Sequence, residues 1–400
     1  KDDSVEMLIR IINGGYRGRW DGENGISGYF FQNGMNFPAD LTRGSDSVVV
    51  HRRPQTPKPP FPYNSEDLEY DDPGTGIHYS ATLTYPKSGG PFPAAILITG
   101  SGQQDRDETI SEHKPFAVIA DYLTRRGYAI LRVDDRGIGK STGNLSGVTS
   151  RDFANDVEVS LKKLQSLKQI DHTKTGLIGH SEGGLIASIV AAENRNIDFI
   201  IMLAGPGLKG MDLLALQIEA IAESQGASPK VAEALKQQRT LVMQAGLSSP
   251  DSSVQMQRAW ATFLNWKAAT DTGIVNALGF GEEAAARSQL KLELQSMSGA
   301  WFRYFLETDP AVFISKLHCK VLALNGSRDI QVIPDQNLAA IDSALRKSSV
   351  KIYSTEKIPG LNHLFQHCKT CTIAEYGQIE ESFAPEALEI MGDWLDKNVK

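Results

Sequence analysis

Five short stretches of the chain are almost continuously apolar: "AAILITG" (94–100), "YAILRVD" (128–134), "TGLIGH" (175–180), "FIIMLAG" (199–205) and "KVLALNG" (320–326). Runs of this length without polar alternation predict strands buried on both faces, as in a parallel sheet. "IHYSATLTYP" (77–86) alternates instead and reads as an edge strand, and "VKIYSTE" (350–356) extends the sheet. Stretches near 113–126 and 151–168 carry helical spacing between these strands, and "EALEIMGDWLDKNV" (386–399) forms an amphipathic terminal helix. The alternation predicts an α/β class with a mostly parallel central sheet flanked by helices.

The rhythm is interrupted twice. Residues 206–310 are rich in Ala, Leu, Gln, Glu and Lys at helical spacing with no clear strand, which predicts a helical cap inserted between two strands. At the other end, "VEMLIRI", "GYRGRW", "GISGYFF" and "FPADLTR" read as antiparallel strands separated by Gly, Asn and Asp. "HRRPQTPKPPFPYNSEDL" (51–68) carries five prolines, and their fixed φ favours an extended linker. The expected organisation is therefore a partial N-terminal β-domain (1–46), a Pro-rich linker and first strand (47–72), a first half of the core (73–205), the cap (206–310) and a second half of the core (311–400).

With 400 residues and a net charge of −7, the chain shows no basic stripe, which argues against a nucleic-acid partner. No apolar run approaches the roughly 20 residues of a membrane-spanning helix. A small-molecule substrate fits better, while the oligomeric state is not legible. The first residue is Lys1 rather than Met, which leads us to expect a leader or a longer N-terminal segment outside this sequence.

The chemistry concentrates at strand ends. In "GLIGHSEGGLIAS" (176–188) an apolar strand stops at a Gly-flanked serine and a helix begins, so Ser181 is the candidate nucleophile. A bare G-x-S-x-G arises by chance about 0.2 times in a chain of this composition, so the motif needs partners. Asp329 follows the strand of "VLALNGSRD", and His363 follows that of "KIYSTEKIPGLNH". A serine hydroxyl needs a neutral imidazole to take its proton, and a carboxylate to hold that imidazole in the right tautomer. His363 and Asp329 supply these roles in the chain order Ser, Asp, His. Asp335 competes as the acid and His367 as the base. For the oxyanion, the backbone N–H of Glu182 is the first candidate donor, with Ser101 and then Gly102 in "TGSGQQDRDE" (99–108) as the second.

Other features carry quieter readings. His180 reads as a packing residue turned away from the nucleophile by strand alternation. "VDDRGIGKSTG" (133–143) lacks P-loop spacing, and its Asp134, Asp135 and Arg136 are expected to form ion pairs with Asp105, Arg106 and Asp107. In "HLFQHCKTC" (363–371), His363, His367, Cys368 and Cys371 could be zinc ligands; a local Cys368–Cys371 bridge or two inert thiols is the plainer reading. The cap aromatics of "WATFLNW" and "SGAWFRYFL" either line an acyl pocket or form the cap's own core.

"PFPAAILITGSGQQDRDE", "VDDRGIGKSTG", "GHSEGG", "LALNGSRDIQV" and "GLNH" together resemble the α/β-hydrolase superfamily, specifically the EstD-type bacterial carboxylesterases with an N-terminal β-domain and a helical cap. The resemblance implies an α/β-hydrolase fold, no cofactor and no metal, and hydrolysis of carboxylic esters with short acyl chains. Ser181, Asp329 and His363 match its triad motifs. "YRGRWDGENGISGYFFQNGMNFPADLTRG" resembles only the last part of that family's N-terminal domain, so earlier strands are expected to be missing from this sequence. Export of family members implies a periplasmic or secreted setting. A prolyl-oligopeptidase-like peptidase shares the serine motif, but the β-rich stretch is too short for a propeller. An acyl thioesterase could use the same triad, and a non-catalytic binding protein could use the same fold.

Overall fold

The computed structural model describes residues 3–9, 14–32, 35–43, 52–249 and 251–400. The chain divides into two compact units, Lys1–Arg52 and Arg53–Lys400. In the first, β1 (Ser4–Ile9), β2 (Gly14–Trp20), β3 (Gly25–Gln32) and β4 (Met35–Pro38) pair in sequence order and antiparallel, and β5 (Leu41–Thr42) pairs with β3. The expected boundary at 46/47, with the start of the linker, lies outside the described residues.

The second unit is built on an eight-stranded sheet. Its strands are β6 (Asn64–Asp71), β7 (His78–Tyr85), β8 (Phe92–Ile98), β9 (Ala129–Val133), β10 (Ile170–His180), β11 (Phe199–Leu203), β12 (Lys320–Gly326) and β13 (Tyr353–Ile358). Their order is β13-β12-β11-β10-β8-β9-β7-β6, parallel from β13 to β9 and antiparallel beyond. "IHYSATLTYP" is not the edge. Its strand β7 lies between β6 and β9 and buries six consecutive residues, and β6 takes the exposed margin.

Both sheet faces are covered, which is why the apolar runs do not alternate. On one face Ile96, Leu177, Ile200 and Val321 pack with helices α2 (Ser150–Gln165), α3 (Glu182–Glu193) and α11 (Pro334–Leu345); on the other Leu97, Ile178, Ile201 and Leu322 meet α1 (Pro115–Arg125) and α12 (Pro385–Asn398). Helix α2 begins at a capping box in which Thr149 and Asp152 satisfy each other's backbone N–H groups. Arg53 and Gln55 of the Pro-rich stretch bond to carbonyls of Ser111, Gly377, Ile379 and Phe383, so this segment is held against the body of the unit.

Between β11 and β12 the chain forms α4 (Gly210–Ser224), α5 (Pro229–Leu247), α6 (Ser252–Ala269), α7 (Thr272–Ala277), α8 (Glu283–Met297), α9 (Ala300–Glu307) and α10 (Ala311–Ile314). Phe263, Trp266, Phe280 and Leu290 make a core of their own within these helices. Among the described residues, no helix is long and apolar enough to cross a membrane.

Candidate active site

Ser181 sits where β10 turns into α3, at φ +52° and ψ −122°. A non-glycine residue pays strain in this region, so the surroundings must hold it there. Its N–H is tied to the Leu203 carbonyl at 2.8 Å, and its own carbonyl accepts from Gly184 N–H at 2.9 Å. The flanking glycines serve proximity rather than unusual φ. A Cβ on Gly179 would lie 2.0 Å from the Gly183 carbonyl oxygen, and one on Gly183 would lie 2.2 Å from that of Ile98.

His363 follows β13 in a loop pinned by Asn362, which exchanges backbone and side-chain bonds with Gln366. Its Nδ1 stands 2.8 Å from Asp329 Oδ2, and both residues are buried. The carboxylate only accepts, so a neutral His363 carries its proton on Nδ1 and leaves Nε2 as an acceptor. The other oxygen of Asp329 accepts from the N–H groups of Gln331 and Val332 at 2.7 and 3.0 Å, which fixes the carboxylate on its turn after β12.

Ser181 and His363 line one cavity of about 390 Å³, together with Ser101, Gln104, Gln331 and Tyr376 from the core and Leu213, Trp301, Phe302 and Phe305 from α4 and α9. Ser101 reaches this cavity, whereas Gly102, at φ +95°, lines a smaller neighbouring one. Gly100 N–H is already given to the Glu108 carboxylate at 2.8 Å. Among the described residues, the N–H groups of Ser101 and Glu182 are not taken up by hydrogen bonds.

The family described as serine aminopeptidase, S33 (Hydrolase_4) matches residues 110–269, less than half of the chain. Esterase EstD of Thermotoga maritima is 30% identical over 153 residues, which make up 38% of this chain and 36% of that protein. The match thus spans little more than a third of the length of this curated relative. The α/β-hydrolase GrgF from Penicillium sp. sh18 superposes with a TM-score of 0.50 at 14% identity, over 84% of this chain and 99% of its own. The strand order, the strained serine turn and this superposition agree. The chain has the α/β-hydrolase fold.

Within this fold the competing candidates stand apart. Asp335 is an exposed residue in the first turn of α11, with Lys357 as its partner. His367 is exposed and held between Glu381 and Glu386. Cys368 and Cys371 form a disulfide, so neither presents a thiolate to a metal. The aromatics of the helical segment between β11 and β12 divide: Trp260, Phe263 and Trp266 pack in the helical core, and Trp301, Phe302 and Phe305 face the cavity.

The charged loops beside the site pair differently from the sequence expectation. Arg106 does bind Asp134, at 2.6 Å, and bridges the two loops. Arg136 instead reaches Asp156 on α2, and Arg132 takes Asp107. Among the described residues Asp135 has no arginine partner; it accepts from Thr99 Oγ1 and Gln104 N–H. Burial pushes its carboxyl up to about 7, against the pull of those hydrogen bonds.

Three neighbours of the site were not legible. Glu108 and His180 bond to each other, and Trp301 Nε1–H donates to Glu182 Oε1 at 2.8 Å. His180 is therefore not a mere packing residue: it lines the cavity and uses both ring nitrogens. Strand alternation describes side chains within a ladder, and His180 is the last residue of β10, where loops close over the strand end.

Proposed function

We propose that this protein hydrolyses carboxylic esters through an acyl-enzyme on Ser181. The observation that carries the reading is Ser181 on a strained turn, sharing a cavity with a histidine whose Nδ1 is held by a buried Asp329. In this mechanism His363 Nε2 takes the Ser181 proton as the oxygen attacks the ester carbonyl, and returns it to the departing alcohol. Asp329 stabilises the imidazolium formed in between. The Glu182 and Ser101 N–H groups meet the oxyanion. Water then enters by the reverse proton path and releases the acid. No cofactor takes part.

The cavity favours an ester with a short acyl chain. Its volume of about 390 Å³ lies at the small end of ligand pockets, and the α4 and α9 side chains on it are mostly apolar. The aminopeptidase description of the matching family raises a peptidase reading. An aminopeptidase must hold an α-ammonium group, and the acidic residue on this cavity, Glu108, already accepts from Gly100 and His180. An ester or thioester needs no such anchor.

The test is labelling with a fluorophosphonate probe and peptide mapping, beside turnover of p-nitrophenyl esters from acetate to octanoate and of amino-acyl p-nitroanilides. Labelling at Ser181 with fastest turnover of the short esters is expected. Faster cleavage of the anilides would replace the esterase reading with a peptidase, and absence of labelling would remove the nucleophile assignment.

A further inference from the structure

Glu108 Oε1 meets two donors at once, Gly100 N–H at 2.8 Å and His180 Nδ1 at 2.9 Å. On the far edge of the same ring, His180 Nε2 stands 3.0 Å from the backbone carbonyl of His363. A carbonyl oxygen only accepts, so Nε2 carries a proton. With Glu108 ionised, its oxygen also only accepts, so Nδ1 carries one as well. An imidazole that satisfies both an ionised Glu108 and the His363 carbonyl is an imidazolium.

Such a pair is expensive. Glu108 is 1% and His180 5% exposed, and removing two charges from water offsets much of their attraction. Glu108 is in addition held at φ +52°. The compensation is placement. Three elements meet here: the loop after β8 that carries Ser101, the end of β10 beside Ser181, and the loop that carries His363. The His180 and His363 rings lie 4.8 Å apart between centroids, so a shift of one is felt by the other.

We propose that Glu108 and His180 are a positioning pair, a buried carboxylate and imidazolium that lock the oxyanion loop and the His363 base into register around Ser181. The inference rests on the reading of Ser181 as nucleophile and His363 as base. It differs from the role of Asp329, which holds the His363 side chain; this pair holds its backbone. Burial by itself would drive the proton off His180, but the Glu108 carboxylate outweighs it and holds the group above the ordinary histidine range. An amide at position 108 cannot reproduce the arrangement. If its oxygen faces Gly100 and Nδ1–H, a neutral His180 presents a bare Nε2 to a carbonyl; if it turns its NH₂ to Nδ1, Gly100 loses its acceptor.

Two measurements test the pair on the full chain. In ¹⁵N-histidine NMR, with His180 assigned by loss of its signals in His180→Gln, both ring nitrogens should remain protonated from about pH 5.5 to about 8. A neutral tautomer in that range would overturn the ion pair. Kinetically, Glu108→Gln and His180→Gln should lower kcat for p-nitrophenyl acetate by about tenfold to a hundredfold, the loss expected from a misplaced base, with KM changed by less than about threefold. A loss in KM alone would contradict a positioning role. A wild type that fails to label with fluorophosphonate overturns both readings, whereas a wild type that labels, with Glu108→Gln turning over unchanged, overturns only this one. The NMR signature needs no variant beyond the assignment, and it decides the ion pair even if Glu108→Gln does not fold.

Discussion

Trp301 of α9 donates its indole N–H to Glu182 Oε1 at 2.8 Å, which ties a helix of the inserted segment to the residue directly after Ser181. Ser150 Oγ donates to the same oxygen at 2.6 Å, and Glu182 is 1% exposed. The side chain that follows Ser181 is therefore clamped from α2 and from α9, and its own N–H is a candidate oxyanion donor.

Trp301→Phe keeps an aromatic ring on the cavity and removes the donor. It should lower the unfolding free energy by about 1–3 kcal/mol, the range for a hydrogen bond to a buried charged group. Guanidinium titration gives the stability, and kcat for p-nitrophenyl acetate should fall with it. Unchanged values of both would show that Ser150 alone suffices to hold Glu182.

Asp329→Asn should reduce kcat by about a thousandfold or more, because an amide that presents NH₂ to the ring selects the wrong tautomer. Asp335→Asn should change it by less than about twofold, since Asp335 is exposed and bound to Lys357. The opposite ranking would transfer the acid role to Asp335.

How far the site could be read from the sequence follows from what kind of information each residue carries. Ser181 and Asp329 stand shortly after apolar strand runs and His363 after the more polar β13, and parallel strands bring their carboxyl ends to one edge, so topology alone gathers them. Glu108 carries no such marker. It lies in a loop, 72 positions before His180, and only the three-dimensional path of that loop joins the two. Asp135 and Arg136 misled for a related reason: both stand beside oppositely charged neighbours in sequence, yet one turns to backbone N–H and hydroxyl donors and the other to Asp156 on α2. The second-strand position of β7 was hidden because β6 follows a Pro-rich stretch that masks its start.

Asp135 should make the protein less stable as pH rises. Its carboxyl titrates near 3.9 when unfolded and is pushed up to about 7 in the folded chain by burial. Between these values the folded state binds more protons than the unfolded state, so stability falls with rising pH and levels off above about 7. Asp135→Asn can still accept from Thr99 and Gln104 but carries no charge. Its melting temperature relative to wild type should therefore increase from about pH 4 to about pH 7.5, and a difference that stays constant over that window would remove the assignment.

Gly183 and Gly102 offer a contrast between two uses of glycine near Ser181. A Cβ on Gly183 would lie 2.2 Å from the Ile98 carbonyl oxygen and 2.7 Å from that of Thr99, and neither backbone atom can swing away. A Cβ on Gly102 meets nothing within 4 Å, but the residue sits at φ +95°. Gly183→Ala should thus cost about 3 kcal/mol or more through overpacking and displace Ser181 from its turn, with labelling by fluorophosphonate lost before the fold is. Gly102→Ala should cost only about 1–2 kcal/mol from backbone strain, and labelling should persist. Equal stability losses would mean that the approach of α3 to the end of β8 is looser than these contacts require. The Gly-Gly pair after Glu182 would then follow from helix entry alone, without the close packing that now brings the start of α3, and with it the Glu182 N–H, up to the loop that bears Ser101.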